Sequence, residues 1–187
     1  MAIELKRPSL TREEFLALQD PDAGEVRGYE YEDGELIPVP PVHGPQSSAW
    51  GDLFARLYQH VERHGLGRVW IDLAVYLSPE GLKRYFPDIV YLASADLNRY
   101  DGEVIVGPPT LVVEVSAQNS RKRDAGPKKR AYHRAEVPWY WIADVVERQT
   151  EEYQWTPARY ELISQTSLDG EFRPKLFPGL VLAGIRS

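Results

Sequence analysis

The stretch TLVVEVSAQ, residues 110–118, constrains the fold more than any other part of the chain. Leu111, Val112, Val113 and Val115 are branched apolar residues that suit a buried strand. Glu114 stands among them. An ionised carboxylate in such a place is costly unless a cation or a hydrogen-bond donor meets it. Whatever folds around this strand must therefore supply a partner for Glu114.

The length of 187 residues, 43% of them hydrophobic, predicts one domain over 1–187 with a sizeable core. No apolar run is long enough to span a membrane, and the first fifteen residues lack the apolar centre of a signal peptide. Cysteine is absent, which excludes disulfides, thiolate metal sites and a cysteine nucleophile. A cytoplasmic location is the expectation. Charge is unevenly spread: residues 121–134, RKRDAGPKKRAYHR, carry seven Lys or Arg against one Asp, a net +6. The whole chain is −6, so the remainder carries −12. A basic patch on an acidic body reads either as a local polyanion site or as a solvated helix face. The overall acidity argues against a protein that coats nucleic acid nonspecifically.

Thr11 and Glu14 form a capping-box pattern at the start of a helix over 10–20. Residues 28–39 predict a hairpin turning at Asp33-Gly34. Residues 46–63 predict a long helix with Trp50, Leu53, Phe54, Leu57, Tyr58 and Val61 in one stripe. RVWIDLAVYLS alternates, predicting a strand with Val69, Ile71, Leu73, Val75 and Leu77 on one face. Further strands are predicted in FPDIVYLA, in 111–115 and in WYWIADVV, and a hairpin is predicted across Thr156-Pro157. One more strand is expected near 180–185. Pro127 suits a first helical position, which predicts a helix over 127–135. The order suggests an α/β domain around a mixed sheet.

Asp88 opens one strand and Glu114 lies near the end of another. If the strands are neighbours, the two carboxylates share a spot at the sheet edge, where two hard oxygen donors suit Mg²⁺. The competing reading is that Glu114 pairs with a Lys or Arg, or sits at an exposed position. On a helix over 127–135, Lys128 shares a face with Ala131, Tyr132 and Ala135, the small apolar face. Lys128 is therefore directed inward, toward the strand that carries Glu114. An ion pair without metal or catalysis satisfies the same pattern.

The blocks YEYEDGEL (29–36), FPDIVYL (86–92), LVVEV (111–115), DAGPKKRAY (124–132) and VPWYWIAD (137–144) resemble, in order, a large bacterial family described as "putative restriction endonucleases", formerly a domain of unknown function. That family is similar to the PD-(D/E)XK nuclease superfamily, which binds Mg²⁺ and hydrolyses phosphodiesters. The resemblance implies a restriction endonuclease-like α/β (α+β) core: a central mixed β-sheet flanked by helices, with an N-terminal hairpin. It matches the Pro-Asp to Pro87-Asp88 and the second acid to Glu114. The superfamily's lysine two residues later falls on Ser116, and the family's own variant supplies it from the following helix, where Lys128 stands. The resemblance also implies the Val115 carbonyl as a metal ligand and Glu30 as a further acid. It gives Mg²⁺ (or Mn²⁺) as cofactor and DNA as substrate. It implies a homo-oligomer, a dimer or a multiple of dimers; no membrane partner is expected, since no apolar run is long enough to span one. The family's Ser after Glu-x-x is Ala117 here, a departure in the local loop.

The mechanism so implied is metal-assisted hydrolysis, with Lys128 orienting water and opposing charge on the phosphorus centre. Arg121, Lys122, Arg123, Lys129 and Arg130 are candidates for nucleic-acid backbone contacts. His43 is a candidate for lining the site, although a loop or capping role suits it better. Tyr132 is a second such candidate, and packing suits it better. His60 and His64 have metal-pair spacing but no third ligand. Trp139 and Trp141 suit packing more than base stacking. Ser116 and Ser120 lack a nearby His, which argues against a serine hydrolase. The rival from another class is a nuclease-fold protein that binds DNA or a protein partner and does not cut. A third reading is a structural oligomer in which Glu114 and Lys128 only hold helix to sheet.

Overall fold

A computed structural model describes residues 11, 13, 14, 29–39, 41–78 and 83–187. At the N-terminus, Glu14 N–H donates to Thr11 Oγ1 at 3.2 Å and Thr11 N–H donates to the Glu14 carboxylate at 2.8 Å, the reciprocal bonds of a capping box. The rest of the helix expected over 10–20 lies outside the described residues.

The first hairpin pairs β1 (Tyr29–Glu32) with β2 (Glu35–Pro38). Asp33 and Gly34 turn it with φ of 50° and 95°, the two positive values that a tight two-residue hairpin turn needs. The hairpin joins β5 (Lys83–Tyr85), β4 (Val75–Tyr76) and β7 (Ile105–Val106) in a five-stranded sheet ordered β2-β1-β5-β4-β7.

The larger sheet has six strands ordered β11-β10-β9-β8-β6-β3. Its members are β3 (Gly67–Ile71), β6 (Ile89–Ala93), β8 (Leu111–Ser116), β9 (Trp139–Asp144), β10 (Gln149–Trp155) and β11 (Tyr160–Ser167). Only β8 and β9 run parallel, as a strand–helix–strand crossover requires; the other pairs are antiparallel. A short pair, β12 (Glu171–Phe172) with β13 (Leu182–Ala183), accounts for the strand expected near 180–185.

Two cores form, one on each face of the larger sheet. Leu111, Val113, Val115, Ile89, Tyr91 and Trp141 pack on one side with the long helix Gly44–His64 and with Phe172 and Phe177. Val112, Val90, Leu92, Tyr140 and Ile142 pack on the other side with Ala131 and Tyr132. All six residues of β8 are buried, because covered faces leave neither parity of a strand in water. Glu114 shares the parity of Val112 and so faces the Tyr132 side.

Three expectations are corrected. RVWIDLAVYLS is not one strand. It leaves the larger sheet after Ile71, turns at Asp72 with φ 49°, and enters the smaller sheet at Val75, so Ile71 is exposed. The long helix buries Ala49, Leu53, Leu57 and Val61 with Gln46 and Asp52, while Tyr58 faces solvent. Pro127 is not the first residue of its helix. The helix starts at Arg121 and runs through Arg121–Arg123, Asp124–Lys128 and Lys129–Arg134, the middle segment with wider π-type turns. A proline has no N–H and its ring crowds the preceding turn, and a widened turn accommodates both. Among the described residues no helix is long and apolar enough to cross a membrane.

Candidate active site

The strand register brings the two acids together. Ile89 pairs with Val113 in the antiparallel ladder between β6 and β8. One step further along that ladder, Asp88 lies across from Glu114, and both occupy the parity that faces the bulged helix 121–134. Val115 N–H donates to Asp88 Oδ2 at 2.5 Å. Gln46 Nε2, from the first turn of the long helix, donates to the Val115 carbonyl at 2.7 Å. Trp50 Nε1 donates to the Asp88 carbonyl at 2.6 Å.

Glu114 is 3% exposed and has its partners. Lys128 Nζ stands 2.7 Å from Glu114 Oε1, and the Tyr132 hydroxyl donates to the same oxygen at 2.8 Å. Lys128, itself 5% exposed, also reaches Glu30 Oε1 at 3.0 Å and lies 4.0 Å from Asp124 Oδ1. Glu30 comes from the hairpin of the smaller sheet, so Lys128 links both sheets. Arg123 holds the other oxygen of Glu30 at 2.7 Å, and its guanidinium and Lys128 Nζ both stand within 6 Å of the Tyr85 ring, at 5.8 and 5.9 Å. Asp124 is positioned by Ser116 Oγ at 2.8 Å and by its own carbonyl, which accepts from the Tyr140 hydroxyl at 3.0 Å. Asp88, Glu114, Glu30, Asp124, Lys128, Arg123 and Gln46 all line a cleft of about 220 Å³.

Four carboxylates meet two cations here, a surplus of two negative charges if all are ionised. Burial is the largest influence on each of these groups, and the neighbouring charges add to it or oppose it. Burial pushes Asp88 up to about 7, against the pull of Lys128 and the Val115 N–H. Burial raises Glu114 well above the ordinary carboxylate range, and neighbouring Asp124, Asp88 and Glu30 add to this against Lys128. Burial would raise Glu30 too, but Lys128 and Arg123 outweigh it and hold Glu30 below the usual value. Burial works against a charged Lys128, yet Glu114, Glu30 and Asp124 outweigh it and keep the ammonium protonated.

A divalent cation fits this donor set. Among the described residues the hydrogen bonds and ion pairs engage Asp88 through Oδ2 and Glu114 through Oε1, leaving Asp88 Oδ1 and Glu114 Oε2 for another ligand. Among the same residues no group of three or more His, Asp or Glu is arranged to hold a metal. Mg²⁺ needs no such cage, since one or two carboxylates with water and phosphate complete its octahedron. The Val115 carbonyl, the third ligand implied by resemblance, already accepts from Gln46.

Other residues singled out in the sequence stand elsewhere. His43 is the exposed N-cap residue of the long helix and caps nothing with its side chain; it borders a separate hollow with Gln118 and Val146. His60 and His64 are ring neighbours near the end of the long helix; the His60 ring also meets the core residue Phe177 edge-on, and His64 Nδ1 stands 2.8 Å from the His60 carbonyl. Arg121 and Arg123 are not free surface cations: Arg121 is paired with buried Asp144, and Arg123 with Glu30 and Glu32. Lys122 and Arg130 are exposed, and Lys129 lies over the Tyr153 ring, 3.1 Å from its centroid. Asp124 and Gln46 were not legible as site residues. Asp124 precedes Lys128 by four residues on one helix, which could have flagged it; a buried Gln46 could not be told from a surface glutamine.

A solved structure described as a putative nuclease belonging to DUF820, from Anabaena variabilis, has the same fold: TM-score 0.70, 18% identity, and 90% of each chain covered. No curated protein matches the chain. The sequence profile of the Uma2 family, described as "Putative restriction endonuclease", matches residues 12–184, and the chain belongs to that family.

Proposed function

We propose that the protein is a Mg²⁺- or Mn²⁺-dependent endonuclease acting on DNA, with residues 1–187 working as one restriction endonuclease-like domain. The observation that carries the reading is the surplus of negative charge around a single buried lysine, with Asp88 and Glu114 facing each other across neighbouring strands. Asp88 and Glu114 would hold the cation, with the Val115 carbonyl beside them. A bound divalent ion supplies a water of lowered pKa and polarises a phosphate oxygen.

The protein's own residues do the rest. Lys128 keeps its charge in this setting and opposes the charge that develops on the phosphorus centre while orienting the attacking water. Tyr132 and Lys128 both bind Glu114 Oε1, which holds the carboxylate and would leave Oε2 for the cation. Glu30 and Arg123 brace Lys128 from the hairpin side. The active form is a homo-oligomer, a dimer or a multiple of dimers, so that both strands of a duplex are met.

Titrating Mg²⁺ or Mn²⁺ against plasmid and single-stranded DNA tests the proposal. Cleavage is expected to depend on the metal and to vanish in Asp88→Ala and Glu114→Gln with the circular dichroism spectrum unchanged. A specific observation favours a rival: Lys128 is paired with both Glu114 and Glu30, as in a scaffold that binds DNA or a protein and does not cut. Absence of metal binding by calorimetry, with intact folding, would decide for that rival.

A further inference from the structure

The bulged helix has a second charged side. Its inward residues Asp124 and Lys128 serve the cleft. The neighbouring side carries Lys129, Arg130, His133 and Arg134, and these border a groove of about 380 Å³ whose opposite wall is the turn that bears Arg159. No acidic side chain lines it. Among the described residues Lys129, Arg130, Arg134 and Arg159 make no ion pair, whereas Arg121, Arg123 and Lys128 on the same helix are all paired. In a chain of net charge −6, four cations that make no ion pair among the described residues, gathered around one groove, are a concentrated local field. Glu151 acts on Lys129 from nearby.

The groove is also built rather than incidental. His133 Nε2 meets the Thr156 carbonyl at 2.9 Å; the carbonyl can only accept, so Nε2 carries the proton. Trp155 Nε1 donates back to the His133 carbonyl at 2.9 Å. Thr156 N–H donates to the Arg159 carbonyl at 3.0 Å and closes the turn. These bonds fix the two walls relative to each other. From Lys129 to Arg134 the helix advances about 7.5 Å, about two steps of the 3.4 Å axial rise per phosphate along one strand of a duplex. Arg159 stands on the other wall.

We propose that this groove is a sequence-blind anchor for the phosphodiester backbone of nucleic acid, seating two or three phosphates beside the cleft. The ligand class rests on the nuclease reading above, but the site does not need catalysis. The anchor consists of Lys129, Arg130, Arg134 and Arg159; Arg121 and Arg123, tied to buried acids, have no share in it.

The test is fluorescence anisotropy of a labelled duplex of arbitrary sequence, in EDTA so that no cutting occurs, across a range of salt concentrations. Arg130→Ala/Arg134→Ala and, separately, Arg159→Glu are compared with wild type and with Arg173→Ala, an exposed arginine paired with Glu171 far along the chain. The slope of log affinity against log salt should become shallower by about 1 unit for each phosphate no longer neutralised, and affinity at 0.1 M salt should fall about a hundredfold in the double variant. Arg173→Ala should change neither. Unchanged slope and affinity in both groove variants, with metal-dependent cleavage intact, overturns the anchor and leaves the nuclease reading standing. Loss of DNA binding in these variants, in a protein that never cuts with metal, upholds the anchor and removes the nuclease reading. Groove-dependent binding to phosphatidylserine vesicles without DNA binding overturns the anchor in favour of a lipid surface.

Discussion

Replacing Lys128 by Met removes the cation at the centre of the cleft and keeps most of its volume. Glu114 and Glu30 then face each other with one cation fewer, 3% and 4% exposed respectively. Removing one partner of a buried ion pair costs about 3–5 kcal/mol, because the other charge stays buried and unpaired. Two features reduce that figure here. Arg123 still holds Glu30 at 2.7 Å, and the Tyr132 hydroxyl still donates to Glu114. Glu114 can also take up a proton, since its affinity for one is already raised. A loss of about 2–3 kcal/mol at pH 8 is expected, which for a chain of this length lowers Tm by about 4–12 °C. The loss should shrink as pH falls toward 5, because protonation removes the charge that Lys128 balanced. Mg²⁺ should stabilise the variant, by about 2.7 kcal/mol at a hundredfold excess over Kd if it binds only the folded chain. Urea denaturation at pH 5 and pH 8, in EDTA and in Mg²⁺, reads all of this. An equal loss at both pH values would mean that packing, not charge, was removed. No loss at all would refute the account of Lys128 as the counterion of Glu114.

Two other perturbations have definite signs. Burial lowers Lys129 from 10.5 to about 8, so between those values the folded chain binds fewer protons than the unfolded one and stability rises with pH; after discounting for its partial exposure, Lys129→Met should be about 1 kcal/mol more stable than wild type at pH 7, with the difference gone above about pH 10.5 in paired denaturation curves. Glu152 is fully buried and accepts from Lys175 N–H at 2.9 Å and Leu176 N–H at 3.3 Å, so Glu152→Ala strands two backbone donors and should cost about 2–4 kcal/mol, with hydrogen exchange of residues 172–185 speeding up before that of β8.

The parts of the fold that follow from local chemistry were legible along the chain. Asp33-Gly34 needs positive φ at both turn positions, and few other pairs supply it. The strands 149–155 and 160–167 were marked by their β-prone residues on either side of Thr156-Pro157. The inward direction of Lys128 followed from its spacing to Ala131 and Tyr132, which held although the helix began six residues earlier than its proline suggested. The sequence alone therefore placed a carboxylate within the apolar run of β8 and turned a lysine inward toward that strand, while leaving open whether Glu114 is buried or exposed. Register and long-range pairing were decided only in three dimensions. Nothing local says that Ile89 pairs with Val113, and a shift of one residue would turn Asp88 to the opposite face. Nothing local says that Glu30 from a hairpin would reach Lys128, or that Asp144 and Glu30 would withdraw two arginines from the basic surface. Such pairings join residues from distant parts of the chain, and their energies depend on burial, which a side chain acquires only when the sheets close over it.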